Sequence, residues 1–206
     1  MAKAKVSAAD VKALRERTGA PMMDTKAALE EAGGDMDKAV ELLRVKGAAS
    51  AAKRSGRGTG EGIVASYTHA TGKVGTLVQI ECETDFVARN EDFQDFAREV
   101  AIHVAAIKGI TYVTPDEIPE EVLEGERRVH AAKAKEDGKP DDVVEKIVEG
   151  QVSKFAKESA LLEQEHFNAE KHEGKTIDEM RTELAAKTGE NIRIARFAHF
   201  RVGEAE

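Results

Sequence analysis

Apolar positions along this chain recur first at helical spacing, then in alternation, and then at helical spacing again. Residues 7–47 hold three short runs that fit amphipathic helices. Ser7 stands where an N-cap is wanted, with Asp10 in the first turn, Val11 and Leu14 on one face, and Gly19 as a C-terminal stop. Pro21 suits the start of a second helix, which carries Met23, Ala27 and Leu29 and stops at Gly33–Gly34. Asp35 caps a third, where Met36, Ala39, Val40 and Leu43 keep helical spacing up to Gly47. A bundle of this size buries little, so a covered or partner-facing side would stabilise it.

The stretch "AASAAKRSGRGTG" (48–60) begins helix-friendly and ends Gly-rich and basic, a helical tail fraying into a solvated linker. Beyond it the period becomes two. "GIVASYTH" (62–69) and "VGTLVQIEC" (74–82) flank "ATGK", a hairpin in which Gly72 is free to take a positive φ. After Asn90, a fair N-cap, Phe93, Phe96, Ala97, Val100, Ala101 and Val104 form one apolar stripe. A charged, exposed helix is expected over 119–137, with Pro119 in its first turn, and another from Pro140, interrupted or bent near Gly150. Thr176 and Glu179 form a capping-box pattern for a helix that closes on Gly189. In "NIRIARFAHFRV" (191–202) Ile192, Ile194, Ala198, Phe200 and Val202 fall on the even side, with Arg196 the exception, which predicts a strand with that face buried. The class is α+β: a three-helix domain over 1–50, a linker over 51–61, and a core over 62–206. In that core a small three-stranded antiparallel sheet is covered by helices.

Composition narrows the function. A net charge of −8 disfavours adsorption to nucleic acid or to anionic lipid, so neither direct nucleic-acid binding nor a membrane role is expected. One cysteine, Cys82, makes no internal disulfide, which fits a reducing compartment. The opening "MAKAKVSAADVKAL" has no apolar h-region, and a cytoplasmic protein is the expectation.

Enzymatic motifs fail on inspection. "EGKT" (173–176) ends like a phosphate-binding loop, but its first glycine would fall at Ala169 and no buried strand precedes it. "GRGTGEG" (56–62) has Glu61 where a dinucleotide fingerprint needs glycine. The six histidines show no H-E-x-x-H spacing, and scattered surface positions with no metal are expected. Cys82 reads as a half-buried thiol at a strand end. No catalytic constellation and no cofactor site emerges, so the chain is not expected to be an enzyme.

Two long stretches remain, "LRERTGAPMMDTKAALEEAGGDMDKAVELLR" (14–44) and "CETDFVARN" (82–90). Together, collinear and in the right order, they resemble the signatures of the bacterial elongation factor Ts family, and "GENIRIARF" (189–197) is similar to its closing strand. Pro21 departs from the glycine common there; proline at a helix start costs little, so a stiffer turn is expected. The chain resembles the short form of the family, with one core and no long coiled-coil excursion. The resemblance implies a guanine-nucleotide exchange factor that binds elongation factor Tu, GDP-bound and nucleotide-free, displaces Mg²⁺ and promotes GDP release so that GTP can enter. It implies a ubiquitin-associated-like N-terminal module, with Arg15, Met22 and Met23 contacting the partner's nucleotide domain. Thr84, Asp85, Phe86 and Val87 would dislodge the partner's Mg²⁺. It further implies a homodimer, with the 191–202 strand near the contact.

The residues agree in part. Two consecutive methionines cannot both enter a three-helix core, so one faces outward as an adaptable apolar contact, although both could be gap fillers. By periodicity alone, Phe86 would fold onto the Phe93/Phe96 stripe and Asp85 would cap the helix at Asn90. By resemblance, Phe86 is a wedge, while Asp85 either accepts donors or competes for the magnesium shell. A ubiquitin-associated-type adaptor without exchange activity is the alternative function.

Overall fold

The Ser7 hydroxyl accepts from the Asp10 backbone N–H, and the Asp10 carboxylate accepts in return from Ser7, closing a capping box at the head of α1 (Ala8–Thr18). The structure, a computed structural model, describes residues 6–204; the first five residues of the expected 1–50 domain and the last two of the 62–206 core lie outside that range. Helix α1 ends at Gly19, whose φ of 66° takes the left-handed cap. Helices α2 (Met22–Glu31) and α3 (Met36–Arg54) follow, the latter capped by Asp35. After the hairpin strands β1 (Glu61–Thr68) and β2 (Val74–Cys82) come a single turn α4 (Asp85–Ala88) and the long α5 (Glu91–Ala106). Helices α6 (Glu120–Glu136) and α7 (Asp141–Ser159) form a packed pair. The short α8 (Ala169–His172), then α9 (Ile177–Thr188) and β3 (Arg193–Arg201) complete the order. The three strands make one sheet in the order β1-β2-β3. Among the described residues, no helix is long and apolar enough to cross a membrane.

By compactness the chain divides into two units. One comprises Met1–Ile63, Ile80–Phe96 and Glu179–Arg193; the other comprises Val64–Gln79, Ala97–Asp178 and Ile194–Glu206. In the first unit Leu14, Ala28, Leu29, Ala39 and Leu43 form a small core, lined by Val11, Met36 and Val40. Met23 and Ala27, expected on the inner face of α2, are both exposed; Thr25 and Ala28 take the inner face with Leu29. The buried Thr25 sets the helix phase: its hydroxyl donates to the Pro21 carbonyl at 3.0 Å and turns Ala28 and Leu29 inward. Helix α3 runs past Gly47, as the helix-friendly tail of 48–60 suggested, and takes up the first residues of the expected 51–61 linker. Ala51 is buried, and the Cβ of Ala186 would lie 3.2 Å from any Cβ at Gly47, so glycine there permits close approach rather than a break.

In the second unit the inner faces of β2 and α5 meet, and the buried Thr76 hydroxyl donates to the Ala101 carbonyl at 2.9 Å. Helix α7 continues unbroken through Gly150; a single helical glycine costs about 1 kcal/mol, and Val144 and Val152 are buried on either side. The expected alternation of β3 holds only at its start. Ile194 is buried, but Arg196, of the same parity, is exposed and donates to the Gln79 side chain at 2.9 Å. The register of faces has slipped by one residue, so Phe200 and Val202 are 68% and 73% exposed. On the opposite parity, Arg201 donates to the Ala105 carbonyl at 2.9 Å.

The histidines correct the expectation of scattered surface positions. His103 and His166 are fully covered, and His166 and His172 stack edge-on with centroids 4.1 Å apart. His103 Nδ1 accepts from the Phe167 N–H at 3.1 Å, and His166 Nδ1 accepts from the Asn168 N–H at 3.2 Å. The ring protons therefore sit on Nε2 in both neutral rings. Glu99 on α5 collects the cationic side: Lys171 Nζ lies 2.6 Å from one carboxylate oxygen and His172 Nε2 lies 3.1 Å from the other. Burial acts to raise the Glu99 pKa, but hydrogen bonds from Lys171 and His172 outweigh it and hold the carboxyl below its ordinary value. Burial, helped by the nearby His166, lowers His103 to about 4, and burial with the neighbouring His172 lowers His166.

Two of these features bear directly on stability. His103 stays neutral in the fold and is protonated near pH 6.5 when unfolded, so its contribution is complete above that pH and is lost as pH falls toward 4. Thermal melts of wild type should therefore drop between pH 7 and 5. His103→Asn keeps an acceptor for the Phe167 N–H but removes the titration, and its melting temperature should fall less over the same range. Gly62 (φ 150°) leaves no room for a side chain, because a Cβ there would stand 2.2 Å from the Ile80 carbonyl. Gly62→Ala should lower the melting temperature by several degrees, roughly 2–4 °C per kcal/mol of strain in a chain of this size.

Candidate partner-binding site

The inner residues of β2 reach Cys82 before the backbone turns sharply into α4. Cys82 is completely buried, and its thiol donates to the Thr84 carbonyl at 3.2 Å. Burial, with the Glu190 charge beside it, pushes this thiol up to about 11, so at neutral pH it is a hydrogen-bond donor and not a nucleophile. Thr84 caps α4 by accepting from the Val87 N–H at 3.5 Å, and Ala88 is buried beneath the turn.

Above these anchors stands Phe86, 81% exposed. Periodicity alone would fold it onto the Phe93/Phe96 stripe, and it does not go there; those two rings are buried without it. Nor does Asp85 cap the following helix. Asn90 does so itself, its side-chain oxygen accepting from the Asp92 N–H at 2.8 Å, while Asp85 pairs with Arg89 at 3.0 Å. A large apolar side chain is thus held out in water on a capped, anchored turn.

The fold brings a second set of exposed residues into the same compact unit. Met22 and Met23 are 59% and 74% exposed, so both face outward, where at least one was expected to. Arg15 is exposed on α1. Their backbone is fixed by the small core behind them, and α3 is tied to α9 by an Arg44–Glu179 ion pair and by Arg54 donating to the Ala185 carbonyl at 3.4 Å. Lys187 on α9 in turn pairs with Asp92 at 2.6 Å, at the start of α5.

Residues that sequence reasoning passed over hold this unit together. The Glu190 carboxylate accepts from the N–H groups of Glu83 and Thr84 at 3.0 and 3.1 Å, and from the Thr84 hydroxyl at 2.6 Å. Asn191, buried, donates its side-chain amide to the carbonyls of Ser55 and Arg57 and its backbone N–H to Glu83. The stretch "GEN" before the last strand was the available signal, but it reads equally well as an ordinary helix-to-strand turn.

Among the described residues, Glu99, His166 and His172 converge closely enough to suggest a cation site. Proton placement works against it: the Asn168 N–H occupies His166 Nδ1, which leaves the proton on the nitrogen facing Glu99, and the Lys171 ammonium already neutralises that carboxylate. The cluster pins residues 166–172 to α5.

Comparison with known proteins places the whole chain in a family. A family model described as Elongation factor TS matches residues 3–173. The chain is 53% identical to Elongation factor Ts of Carboxydothermus hydrogenoformans over 94% of its own length and 88% of that protein's. It is 50% identical to Elongation factor Ts of Thermosipho melanesiensis over 97% of its length and 100% of the relative's. Against Elongation factor Ts of Geotalea uraniireducens the identity is 52% over 97% of this chain and 90% of that one. Relatedness along nearly the whole length leads to one assignment: the chain belongs to the elongation factor Ts family of translation elongation factors.

Proposed function

We propose that the protein is a guanine-nucleotide exchange factor for elongation factor Tu, which it meets GDP-bound and leaves ready to take GTP. It performs no covalent chemistry and needs no cofactor of its own. The observation that carries this reading is Phe86, a rigidly mounted aromatic ring held in solvent beside a carboxylate. Mg²⁺ in the partner's nucleotide site demands near-ideal octahedral oxygen geometry, so a small displacement of the element carrying its ligands weakens it steeply. In this reading Thr84–Val87 make that displacement: Phe86 wedges in, and Asp85 meets the donors or the metal shell exposed by the shift. Arg15, Met22 and Met23 grip the nucleotide domain, methionine being suited to an adaptable apolar contact.

Energetics require both elements. By linkage, a factor that favours the nucleotide-free partner must be weakened equally by nucleotide. A roughly 10⁴-fold acceleration of release corresponds to about 5.5 kcal/mol of differential stabilisation. Burying one phenylalanine supplies about 1.5–3 kcal/mol. The remainder comes from the helical module and the rest of the interface.

Assembly forms part of the same proposal. The outer face of the sheet exposes Val64, Leu77 and Phe200, with Val202 exposed just past the end of β3, and a three-stranded sheet needs its edges and outer face covered. A homodimer closing through β3 covers them and leaves two copies of the contact unit.

Release of fluorescent GDP from elongation factor Tu tests the exchange reading. Wild type should accelerate release strongly, and Phe86→Ala and Asp85→Ala should each slow exchange more than they weaken complex formation. Equal losses of binding and exchange would leave Phe86 a plain contact, and binding without any acceleration by wild type would favour a ubiquitin-associated-type adaptor. For the dimer, sedimentation should give twice the monomer mass at micromolar concentration and the monomer mass for Phe200→Asp; a monomeric wild type would refute it.

A further inference from the structure

We infer that Glu190 is a positioning residue for exchange: its carboxylate sets the direction in which the Thr84–Val87 turn presents Phe86. The inference rests on the exchange reading above and deepens it. Glu190 touches none of the reacting groups and acts through Thr84.

Its hydrogen bonds are concentrated on one short stretch of backbone. One oxygen takes two successive N–H groups, those of Glu83 and Thr84, at 3.0 and 3.1 Å, and the other takes the Thr84 hydroxyl proton at 2.6 Å. That last bond decides what the hydroxyl does next. With its only proton committed to Glu190, the Thr84 oxygen has lone pairs to spare, and one accepts from the Val87 N–H and caps α4. A turn of four residues has almost no stability of its own, so this cap and the buried Ala88 fix its orientation.

A carboxylate can aim a turn only if its own backbone is fixed, and here it is. Gly189, at φ 76°, ends α9 with its N–H on the Ala185 carbonyl at 3.0 Å, and the Glu190 N–H donates to the Thr188 hydroxyl at 3.4 Å. On the other side Asn191 is buried and donates to the Ser55 and Arg57 carbonyls, just past the end of α3. The same three-residue turn thus anchors the Phe86 corner with one side chain and the tail of the helical module with the next. In this reading the two proposed partner contacts share one post.

Glutamine is the informative conservative variant. Its amide oxygen can take both N–H groups, and its NH₂ can donate to the Thr84 hydroxyl, which then rotates and still accepts from Val87. Glu190→Gln removes the charge and keeps the geometry; Glu190→Ala removes both. The chain has no tryptophan, so Phe86→Trp places a single fluorophore on the corner. In full-length protein carrying Phe86→Trp, fluorescence anisotropy should fall on adding Glu190→Ala and stay near the parent value with Glu190→Gln, read below the melting transition of each variant. In protein that keeps Phe86, Glu190→Ala should lower the maximal rate of GDP release roughly tenfold or more. The factor concentration for half-maximal effect should change by less than about threefold, and Glu190→Gln should recover most of the rate. An unchanged anisotropy and maximal rate in folded Glu190→Ala, with wild type active, would overturn the positioning role and leave exchange intact. Loss of rate in both variants would assign Glu190 an electrostatic role instead, and inactivity of wild type would overturn both readings.

Discussion

A side chain as apolar as Phe86 stays in water only when the backbone beneath it is prevented from turning it inward. Folding normally buries phenylalanine, worth about 1.5–3 kcal/mol. That gain was available nearby, in the stripe where Phe93 and Phe96 are already covered. Against it stands a set of polar bonds that fix the turn carrying Phe86. These are the Cys82 thiol on the Thr84 carbonyl, the Glu190 carboxylate on the Glu83 and Thr84 N–H groups, and the Thr84 hydroxyl over the first turn of α4. These half-buried bonds, each contributing about 0.5–1.5 kcal/mol, fix the backbone from which the exposed ring projects.

The same constraint explains why the first compact unit is assembled from three separated stretches of chain. A three-helix bundle built on Leu14, Leu29 and Leu43 has too small a core to hold a contact surface rigid by itself. The ties from α3 to α9, and from Asn191 to the residues after α3, lend it support that its sequence neighbours do not supply. A linker placed over 51–61 would suggest a tethered module. In the structure the helix runs to Arg54 and the following turn is held by a buried asparagine.

What was legible in the sequence follows from how local each signal is. The α5 stripe, the Ser7 and Asp35 caps and the Gly72 turn depend on neighbours within one or two helical turns, and all form where expected. Gly150 misled because a helical glycine carries only a small local cost, which packing at Val144 and Val152 overrides. The alternation of β3 had one exception, Arg196 on the side expected to be buried, and that is where one slipped residue reverses its faces. His103 and His166 looked like surface residues because their burial depends on remote packing. The N–H on His103 comes from 64 residues away, and only the one on His166 is local. For the site, the exposed Phe86 was legible only through likeness to a family, since composition and period favoured its burial. Glu190 was not legible at all: an acceptor bond across a separation of 106 residues leaves no trace in spacing.

Asp85 shows how such a site is held ready in the free protein. Its carboxylate is paired with Arg89 one turn on, at 3.0 Å, with the two side chains 43% and 78% exposed. An exposed i, i+4 pair of this kind contributes about 0.3–0.5 kcal/mol. That suffices to orient the carboxylate along the helix surface, yet it is small beside any charge-assisted bond offered by a partner, worth about 1.5–3 kcal/mol. On the proposed exchange reading, donors presented by a partner at this corner would draw Asp85 away from Arg89. The acidic residue and its neighbouring aromatic thus differ in kind: Phe86 is fixed beforehand by the turn, whereas Asp85 is held by a bond weak enough to be given up.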